Sequence, residues 1–196
     1  MSTLPHAYWP AGLTAHQTLP ETHLFYNLEV SATRYPDKAC MVFYDTPVGF
    51  ERCRRDAERL AGHLQHACGV RRGDRVLLDL QNSPHWLIAC YAIWRAGAVV
   101  VPVNPMNRTE ELRHIARDSG AKAAFVAQDL VEEMRPLLGA DEGNGNGNGS
   151  LRHLIVATYA DWLLVPTDLP VPDVVATPRA AVSGAGVVAW HEALAR

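Results

Sequence analysis

Histidines are the residues of this sequence best suited by type to do chemistry, because imidazole can bind a metal or carry a proton near neutral pH. His63 and His66 stand three residues apart, which places them on one side of a helix and could let them share a metal ion. No third ligand follows at a recognisable spacing, and the nearby arginines favour two ordinary solvated side chains. His85 and His153 are each isolated in the sequence, so we interpret both as structural residues.

Two glycine-rich segments invite comparison with phosphate-binding loops. Such a loop needs glycines followed by Lys and Ser or Thr at the start of a helix, so that N–H groups and an ammonium hold phosphate. The run GNGNGNG at 143–149 lacks that lysine and is typical of a flexible linker. The segment SGAG at 183–186 is short and has no cation, and no GxSxG nucleophile elbow occurs. We therefore predict no catalytic, cofactor-binding or metal-binding residue in this chain.

Aromatic side chains could instead line an apolar pocket. Tyr8 and Trp9 lie in a proline-containing N-terminal segment, and we expect them to pack on the body of the protein. Trp86 and Trp94 are eight residues apart on an apolar stretch, which favours core packing over a ligand site.

Composition excludes several classes of protein. The chain has 196 residues, 18 Lys and Arg against 21 Asp and Glu, a net charge of −3 and 48% hydrophobic residues. Disorder needs fewer apolar residues and more net charge, and nucleic-acid binding needs a basic surplus. The four cysteines form no CxxC motif and indicate buried free thiols in a reducing compartment.

Strand patterns and helix patterns alternate along the chain. Such alternation predicts an α/β fold with a mostly parallel sheet flanked by helices. We expect strands at 39–44, 75–80, 98–102, 121–127 and 151–157, and helices at 22–35, 50–68 and 84–96 and after caps at Thr109 and Asp129. Ser83 is expected to cap the helix at 84–96, with Pro84 at its first position. Asp129 and Glu132 are expected to form a capping arrangement at the start of the last of these helices.

Three regions follow from this pattern. Residues 1–20 are predicted as an extended arm, 21–158 as an α/β subdomain carrying the linker 143–149, and 159–196 as a proline-rich tail ending in a short helix at 187–195. The stretch 86–103 is long and apolar enough to be a transmembrane candidate. Because Arg95, Gly97 and Pro102 interrupt it, we interpret it as a buried helix, a turn and a strand.

The order of several segments resembles one protein family. The segments are GVRRGDRV at 69–76, QNSP at 81–84, WRAGAVVVPVNP at 94–105, EELRH at 110–114 and DSGAK at 118–122. Together they resemble the N-terminal subdomain of the AMP-forming acyl-CoA synthetases, in the adenylate-forming ligase superfamily. The segments YWP at 8–10 and NLEV at 27–30 look most like the bacterial long-chain fatty acid–CoA ligases.

This resemblance implies a two-step reaction for the complete enzyme. A fatty acid carboxylate attacks ATP–Mg²⁺ to give an acyl-adenylate, and coenzyme A then displaces AMP. In the family, the phosphate loop and the catalytic Lys lie downstream of these segments, and this sequence ends at Arg196 before them. We therefore expect the isolated chain to be inactive, with ATP, Mg and coenzyme A serving only the complete enzyme.

What the resemblance transfers to this chain is structural. It implies an incomplete form of the family fold and a structural motif of seven residues: Gly73, Asp74, Asn82, Gly97, Pro102, Asn104 and Pro105. The family's usual Tyr-x-Glu-Leu segment is replaced here by FERC at 50–53, which loses a hydroxyl, a carboxylate and a core leucine.

Two hypotheses remain open at this point. The chain is either the N-terminal portion of a fatty acid–CoA ligase or a non-catalytic remnant that binds a partner or an apolar ligand. The expected partners are the remaining C-terminal portion of the ligase or a homologous full-length chain, and the fatty acid in the complete enzyme. We also expect self-association, no nucleic acid, and a cytoplasmic location with peripheral contact at the inner membrane face.

Overall fold

The computed structural model describes Pro10, Gly12, residues 18–139 and residues 151–195. Strands and helices alternate through these ranges. The strands are β1 (Ala39–Phe43), β2 (Thr46–Gly49), β3 (Arg75–Asp79), β4 (Val99–Pro102), β5 (Ala123–Ala127), β6 (His153–Ala157) and β7 (Val187–Ala189). The helices are α1 (Phe25–Arg34), α2 (Phe50–His66), α3 (Pro84–Arg95), α4 (Thr109–Ser119), α5 (Val131–Met134), α6 (Asp173–Ala176) and α7 (Trp190–Ala195), with short 3₁₀ turns at Gln128–Leu130, Arg135–Leu137 and Tyr159–Trp162.

Five of these strands form one parallel sheet in the order β4-β3-β5-β6-β7. Val76 of β3 lies opposite Val100 on one side and Ala123 on the other, and Ile155 of β6 lies opposite Phe125 and Val188. All residues of β5 are buried, as expected for a central strand covered on both faces. The predicted α/β fold with a mostly parallel sheet flanked by helices is confirmed.

Helices cover both faces of the sheet because side chains alternate along each strand. Val76 and Leu78 of β3 point into a core shared with α1, α2, α3 and α7, whereas Leu77 points into a second core shared with α4 and α5. The helices α2 and α4 are amphipathic, with buried apolar residues on one face and charged residues on the other.

The start of α3 matches its sequence prediction. Ser83 is the N-cap, and its hydroxyl accepts a hydrogen bond from the backbone N–H of Trp86 at 3.3 Å. Pro84 is the first helical residue, where its missing N–H costs nothing. The apolar stretch then continues through α3, a turn at Gly97 with φ of +74°, and β4, which confirms the helix, turn and strand interpretation. In the described ranges, no helix has both the length and the apolar character needed to cross a membrane.

Several local predictions are wrong in whole or in part. The strand predicted at 39–44 is confirmed as β1, but it lies outside the parallel sheet, because the unpredicted β2 follows it at once and pairs with it in an antiparallel hairpin. The helix predicted at 187–195 begins only at Trp190, since Val187–Ala189 forms an edge strand against β6. Asp129 and Glu132 form no cap, because Gln128–Leu130 is a 3₁₀ turn and Glu132 pairs with Arg135.

The start of α4 also differs from its prediction. Arg108 is the N-cap and Thr109 is the first helical residue. The Thr109 hydroxyl and N–H both donate to Glu133 of α5, at 2.5 and 3.0 Å. Glu133 thus satisfies the donors of Thr109, and Glu111 accepts a hydrogen bond from Arg108 N–H at 2.8 Å as the third helical residue of a local capping box.

The last strand approaches β6 closely through a glycine. Gly186 has a φ of +77°, and its backbone carbonyl accepts a hydrogen bond from Leu154 N–H at 2.8 Å. A Cβ at this position would lie 2.1 Å from the carbonyl oxygen of Arg152. Glycine is therefore required for β7 to reach the sheet.

Candidate functional site

The strand order places a candidate site at one end of the sheet. From β3 the chain crosses to β4 through α3 on one face, and from β4 it returns past β3 to β5 through α4 on the other face. The direction of the connections therefore reverses between β3 and β5. In open parallel sheets, ligands bind outside the carboxyl ends of the strands at such a reversal.

Polar residues follow the strands at this end. Asp79 ends β3, Gln128 and Asp129 follow β5, and Thr158 and Tyr159 follow β6. A crevice of about 140 Å³ opens there, lined by Gln128, Asp129, Thr158, Tyr159, Val174 and Thr177. The strand order and the surface shape thus point to the same end of the sheet.

Gln128 ties the proline-rich tail across this crevice. Its Oε1 accepts hydrogen bonds from the Thr158 hydroxyl at 3.0 Å and from Ala180 N–H at 2.7 Å. Its Nε2 donates to the carbonyl of Pro178 at 3.0 Å. The tail therefore forms one wall of the crevice.

Two ionisable side chains lie buried beside the crevice. Asp79 is 1% exposed and His85, in the first turn of α3, is 0% exposed. Within the described part of the chain, Asp79 Oδ1 and both ring nitrogens of His85 have no hydrogen-bond partner. An unpaired buried polar group costs free energy, so these atoms lower the stability of the folded state.

Aromatic rings enclose His85. The rings of Trp190, Trp162 and Tyr159 lie edge to face with the imidazole, with centroids 4.7, 5.9 and 6.2 Å away. The Tyr159 hydroxyl accepts a hydrogen bond from Gln81 N–H at 2.7 Å, which fixes the ring against the end of β3. This arrangement holds the imidazole in an apolar environment.

Burial shifts the pKa values of Asp79 and His85 in opposite directions. Burial, with a smaller contribution from Asp129, raises the pKa of Asp79 to about 7. Burial, with a smaller contribution from Arg179, lowers the pKa of His85 to about 3. Both shifts favour the neutral form, as expected where charge is desolvated.

An apolar groove lies on the other side of Asn82. Its volume is about 270 Å³, and it is lined by Met41, Val42, Phe43, Asn82, Ser83, Pro84, Trp86 and Leu87. The hairpin β1–β2 forms one wall and the start of α3 forms the other. The shape and composition suit an apolar segment or ligand.

The seven motif residues divide between the two ends of the sheet. Gly73, Asp74 and Gly97 lie before β3 and β4, and Gly73 N–H donates to the Gly97 carbonyl at 2.9 Å. Asp74 Oδ2 accepts from Arg71 N–H at 2.7 Å and from Lys122 Nζ at 2.8 Å. Near the carboxyl ends of β3 and β4 lie Asn82, Pro102, Asn104 and Pro105. Asn104 Oδ1 accepts a hydrogen bond from Met106 N–H at 3.1 Å in the loop after β4.

Other sequence candidates fall into ordinary surroundings. His63 is buried, so its prediction as a solvated residue is wrong, whereas His66 is exposed. No group of three or more His, Cys, Asp or Glu able to hold a metal ion occurs among the residues that the structure describes. Trp94 packs on Tyr91 at 5.3 Å. Tyr8, Trp9 and most of the arm 1–20, together with the linker 143–149, lie outside the described residues.

Sequence reasoning missed the cluster around the crevice. Asp79 carried a signal, because it is the one charged residue inside the apolar run VLLDL at 76–80. Gln128 and Tyr159 carried none, because their proximity depends on which strands are neighbours in the sheet. The sequence indicates a structural role for His85, and residue spacing carries no information about the aromatic rings that enclose it.

The chain belongs to the AMP-binding enzyme family, because residues 28–163 match the family model described as AMP-binding enzyme. The long-chain-fatty-acid–CoA ligase of Salmonella typhimurium is 30% identical over 135 residues, which cover 69% of this chain and 23% of the relative. The Bacillus subtilis ligase of the same name is 36% identical over 125 residues, covering 64% of this chain and 22% of the relative. The chain thus spans about a quarter of the length of these curated relatives.

Solved structures agree with this assignment. A long-chain-fatty-acid-CoA ligase from Archaeoglobus fulgidus superposes with a TM-score of 0.62 at 25% identity, covering 72% of this chain and 28% of that one. An anthranilate CoA ligase in complex with anthranoyl-AMP superposes with a TM-score of 0.60 at 26% identity, covering 74% of this chain and 27% of that one.

The family implies ATP, Mg and coenzyme A for the complete enzyme. The described residues do not fit these groups by themselves. The crevice is smaller than the roughly 300–1,000 Å³ of ligand pockets, and its lining includes the carboxylate of Asp129 and no Lys or Arg. An anionic phosphate chain needs cations or a run of N–H donors, and the Asp129 carboxylate would repel it.

Proposed function

We propose that this chain is the N-terminal portion of an ATP-dependent, AMP-forming long-chain fatty acid–CoA ligase. The complete enzyme activates a fatty acid as its acyl-adenylate and transfers the acyl group to coenzyme A. The observation that carries the proposal is the family match over residues 28–163, joined to relatives that bear this ligase name. The parallel sheet and its superposition on acyl-CoA ligases support it.

The role of this portion is to build a scaffold. The strand order β4-β3-β5 positions the crevice at the carboxyl ends of the strands. At the opposite ends, Gly73 and Gly97 form backbone turns, and Asp74 binds Lys122. The apolar groove beside Asn82 supports a further contribution, one part of the wall that receives the acyl chain. In the complete enzyme, ATP, Mg and coenzyme A supply the activation and transfer chemistry, and residues outside this portion bind them.

The test is ATP–pyrophosphate exchange on the 196-residue chain, with and without a long-chain fatty acid. We expect no exchange above that of a blank preparation, because the crevice lining offers the Asp129 carboxylate and no Lys or Arg where phosphate would need cations. Robust exchange that scales with the amount of this chain, and survives repurification, would show that these residues bind ATP and would refute the scaffold role.

A second candidate function is a non-catalytic module that binds a partner or an apolar ligand. The apolar groove favours it, because a groove of this kind could serve without the rest of a ligase. The coding sequence downstream distinguishes the two. A continuation that encodes a Ser/Thr/Gly-rich phosphate loop supports the ligase, and unrelated sequence supports the module.

Exposed apolar residues support the proposed partners. Leu164, Leu169 and Val174 are between 41% and 55% exposed, and Val42 on the neighbouring hairpin is 64% exposed. The Leu164 N–H donates to the Thr46 hydroxyl and the Thr167 hydroxyl to Asp45, which holds this tail beside the hairpin. We propose that the remaining portion of the ligase, or a homologous full-length chain, covers this surface, and that a fatty acid substrate brings the enzyme to the inner face of the cytoplasmic membrane.

Without such a partner, the isolated chain is expected to self-associate. Apolar patches of this kind and the outer edges of β4 and β7 offer surface for pairing. Sedimentation velocity across a range of concentrations measures the effect, and Leu164→Lys with Leu169→Lys should shift the distribution toward monomer. Asp168→Lys, a change at an exposed polar residue of the same segment, is the matched control. A monodisperse monomer of the unmodified chain at all concentrations would contradict the expectation.

A further inference from the structure

Two cysteines from neighbouring elements meet at the base of the hairpin. Cys40 lies in β1, and Cys53 lies in the first turn of α2, which begins directly after β2. Because β2 runs back along β1, the chain returns the start of α2 to the level of Cys40. The hairpin connection therefore brings these two thiols together across twelve intervening residues.

The strand pairing directs Cys40 toward that helix. Ala39 lies opposite Gly49 and Met41 lies opposite Val48, so Cys40 is the extra residue of a β-bulge. A bulge turns its extra side chain away from the regular alternation. Cys40 packs against the core cluster that contains Cys53.

The two thiols differ in ways that suit different chemical roles. Cys40 is half-buried and within reach of small solutes, whereas Cys53 is 0% exposed. A hydrogen bond from the Cys53 thiol lowers the pKa of Cys40, although burial opposes the shift. The same contact, with burial, raises the pKa of Cys53. A reactive thiol of lowered pKa beside a resolving thiol is the arrangement of peroxide-sensing cysteines.

We propose that Cys40 and Cys53 form a peroxide-sensitive thiol pair whose oxidation product is an intramolecular disulfide. The Cys40 thiolate attacks one oxygen of hydrogen peroxide, the O–O bond breaks, and the departing hydroxide takes a proton to become water. The Cys53 thiol then attacks the sulfenic sulfur of Cys40, the S–O bond breaks, and a second water leaves. Two thiols lose two electrons in total, and one peroxide is reduced to two waters.

The bond would join the hairpin to α2 beside the apolar groove. Met41, Val42 and Phe43, which follow Cys40 directly, form the hairpin wall of that groove. Oxidation therefore holds this wall against the helix. The proposal does not depend on the ligase function, because it rests on the hairpin, the bulge and the thiol contact alone.

The test is a thiol count on the 196-residue chain after treatment with hydrogen peroxide. The thiols that remain free are alkylated under denaturing conditions, and peptides of the unreduced protein are mapped by mass spectrometry. We expect two alkylatable thiols in place of four, a mass lower by about 2 Da before alkylation, a single cross-linked peptide pair containing Cys40 and Cys53, and full reversal by dithiothreitol.

Alanine variants separate this pair from the other thiols. Cys90 is the necessary control, because it is buried in the same core cluster as Cys53, whereas Cys68 is buried just beyond the other end of α2. Cys90→Ala and Cys68→Ala should keep the cross-link, and Cys53→Ala should lose it and leave a Cys40 sulfenic acid that dimedone traps. A cross-link that maps to Cys90 or Cys68, a purely intermolecular bond, or four intact thiols in the unmodified chain would overturn the proposal. The map of the unmodified chain decides this even if a variant does not fold.

Discussion

Replacing Trp190 with alanine is expected to lower the free energy of unfolding by about 3–5 kcal/mol, the usual cost of truncating a buried aromatic residue. Trp190 is 3% exposed, and its ring lies 4.7 Å from His85 and 5.5 Å from Phe125. The residue joins β7 to α7, so its loss removes the contact that holds the C-terminal segment on the core. Urea unfolding followed by circular dichroism measures the effect.

His191→Ala is the matched control, because His191 is exposed and occupies the next position of the same helix. Its substitution should change stability by less than about 0.5 kcal/mol, as at ordinary surface sites. If Trp190→Ala lowers the free energy of unfolding no more than His191→Ala does, the C-terminal segment does not pack on this core. The placement of Val187–Ala189 as the edge strand would then be wrong.

The second large effect concerns the pH dependence of stability. Folded Asp79 keeps its proton up to about pH 7, whereas an unfolded Asp loses it near 3.8. The folded state therefore binds more protons between these values, and this contribution to stability falls as pH rises. His85 behaves in the opposite way, since folded His85 loses its proton near pH 3 and unfolded His near 6.5. Its contribution rises with pH over that range.

Between pH 4.5 and 6.5 the two contributions oppose each other and nearly cancel. Asp79→Asn removes the falling contribution, so the variant should gain about 2 kcal/mol of stability relative to the unmodified chain as pH rises across this range. His85→Phe removes the rising contribution and should lose a similar amount. Urea unfolding at several pH values measures both slopes. Parallel profiles for all three proteins would show that neither group is buried in its neutral form.

The sequence was sufficient for the architecture because the signals were local. Ser83 and Pro84 indicated the start of α3, and Gly97 indicated the turn before β4. The same local reasoning failed at 187–195, since the strand Val187–Ala189 exists only through its pairing with β6. It also missed β2, a four-residue strand that is defined by its pairing with β1.

The candidate site was harder to predict for a physical reason. Asp79, Gln128 and Tyr159 are far apart in sequence and meet because β3, β5 and β6 are neighbours in the sheet. Strand order is a long-range property that no spacing records. The family resemblance rested instead on the turns around Gly73, Gly97 and Asn104, which are local and could be read directly.

The measurement that tests the central claim most directly is acyl-CoA formation by a chimera. The matched 135-residue segment of the Salmonella typhimurium ligase is replaced by the corresponding segment of this chain. If this segment is a ligase scaffold, the chimera should form palmitoyl-CoA from palmitate, ATP and coenzyme A. The same chimera with Gly97→Val should lose that activity, because Gly97 has a φ of +74°. A chimera that is folded by circular dichroism and forms no palmitoyl-CoA would contradict the account.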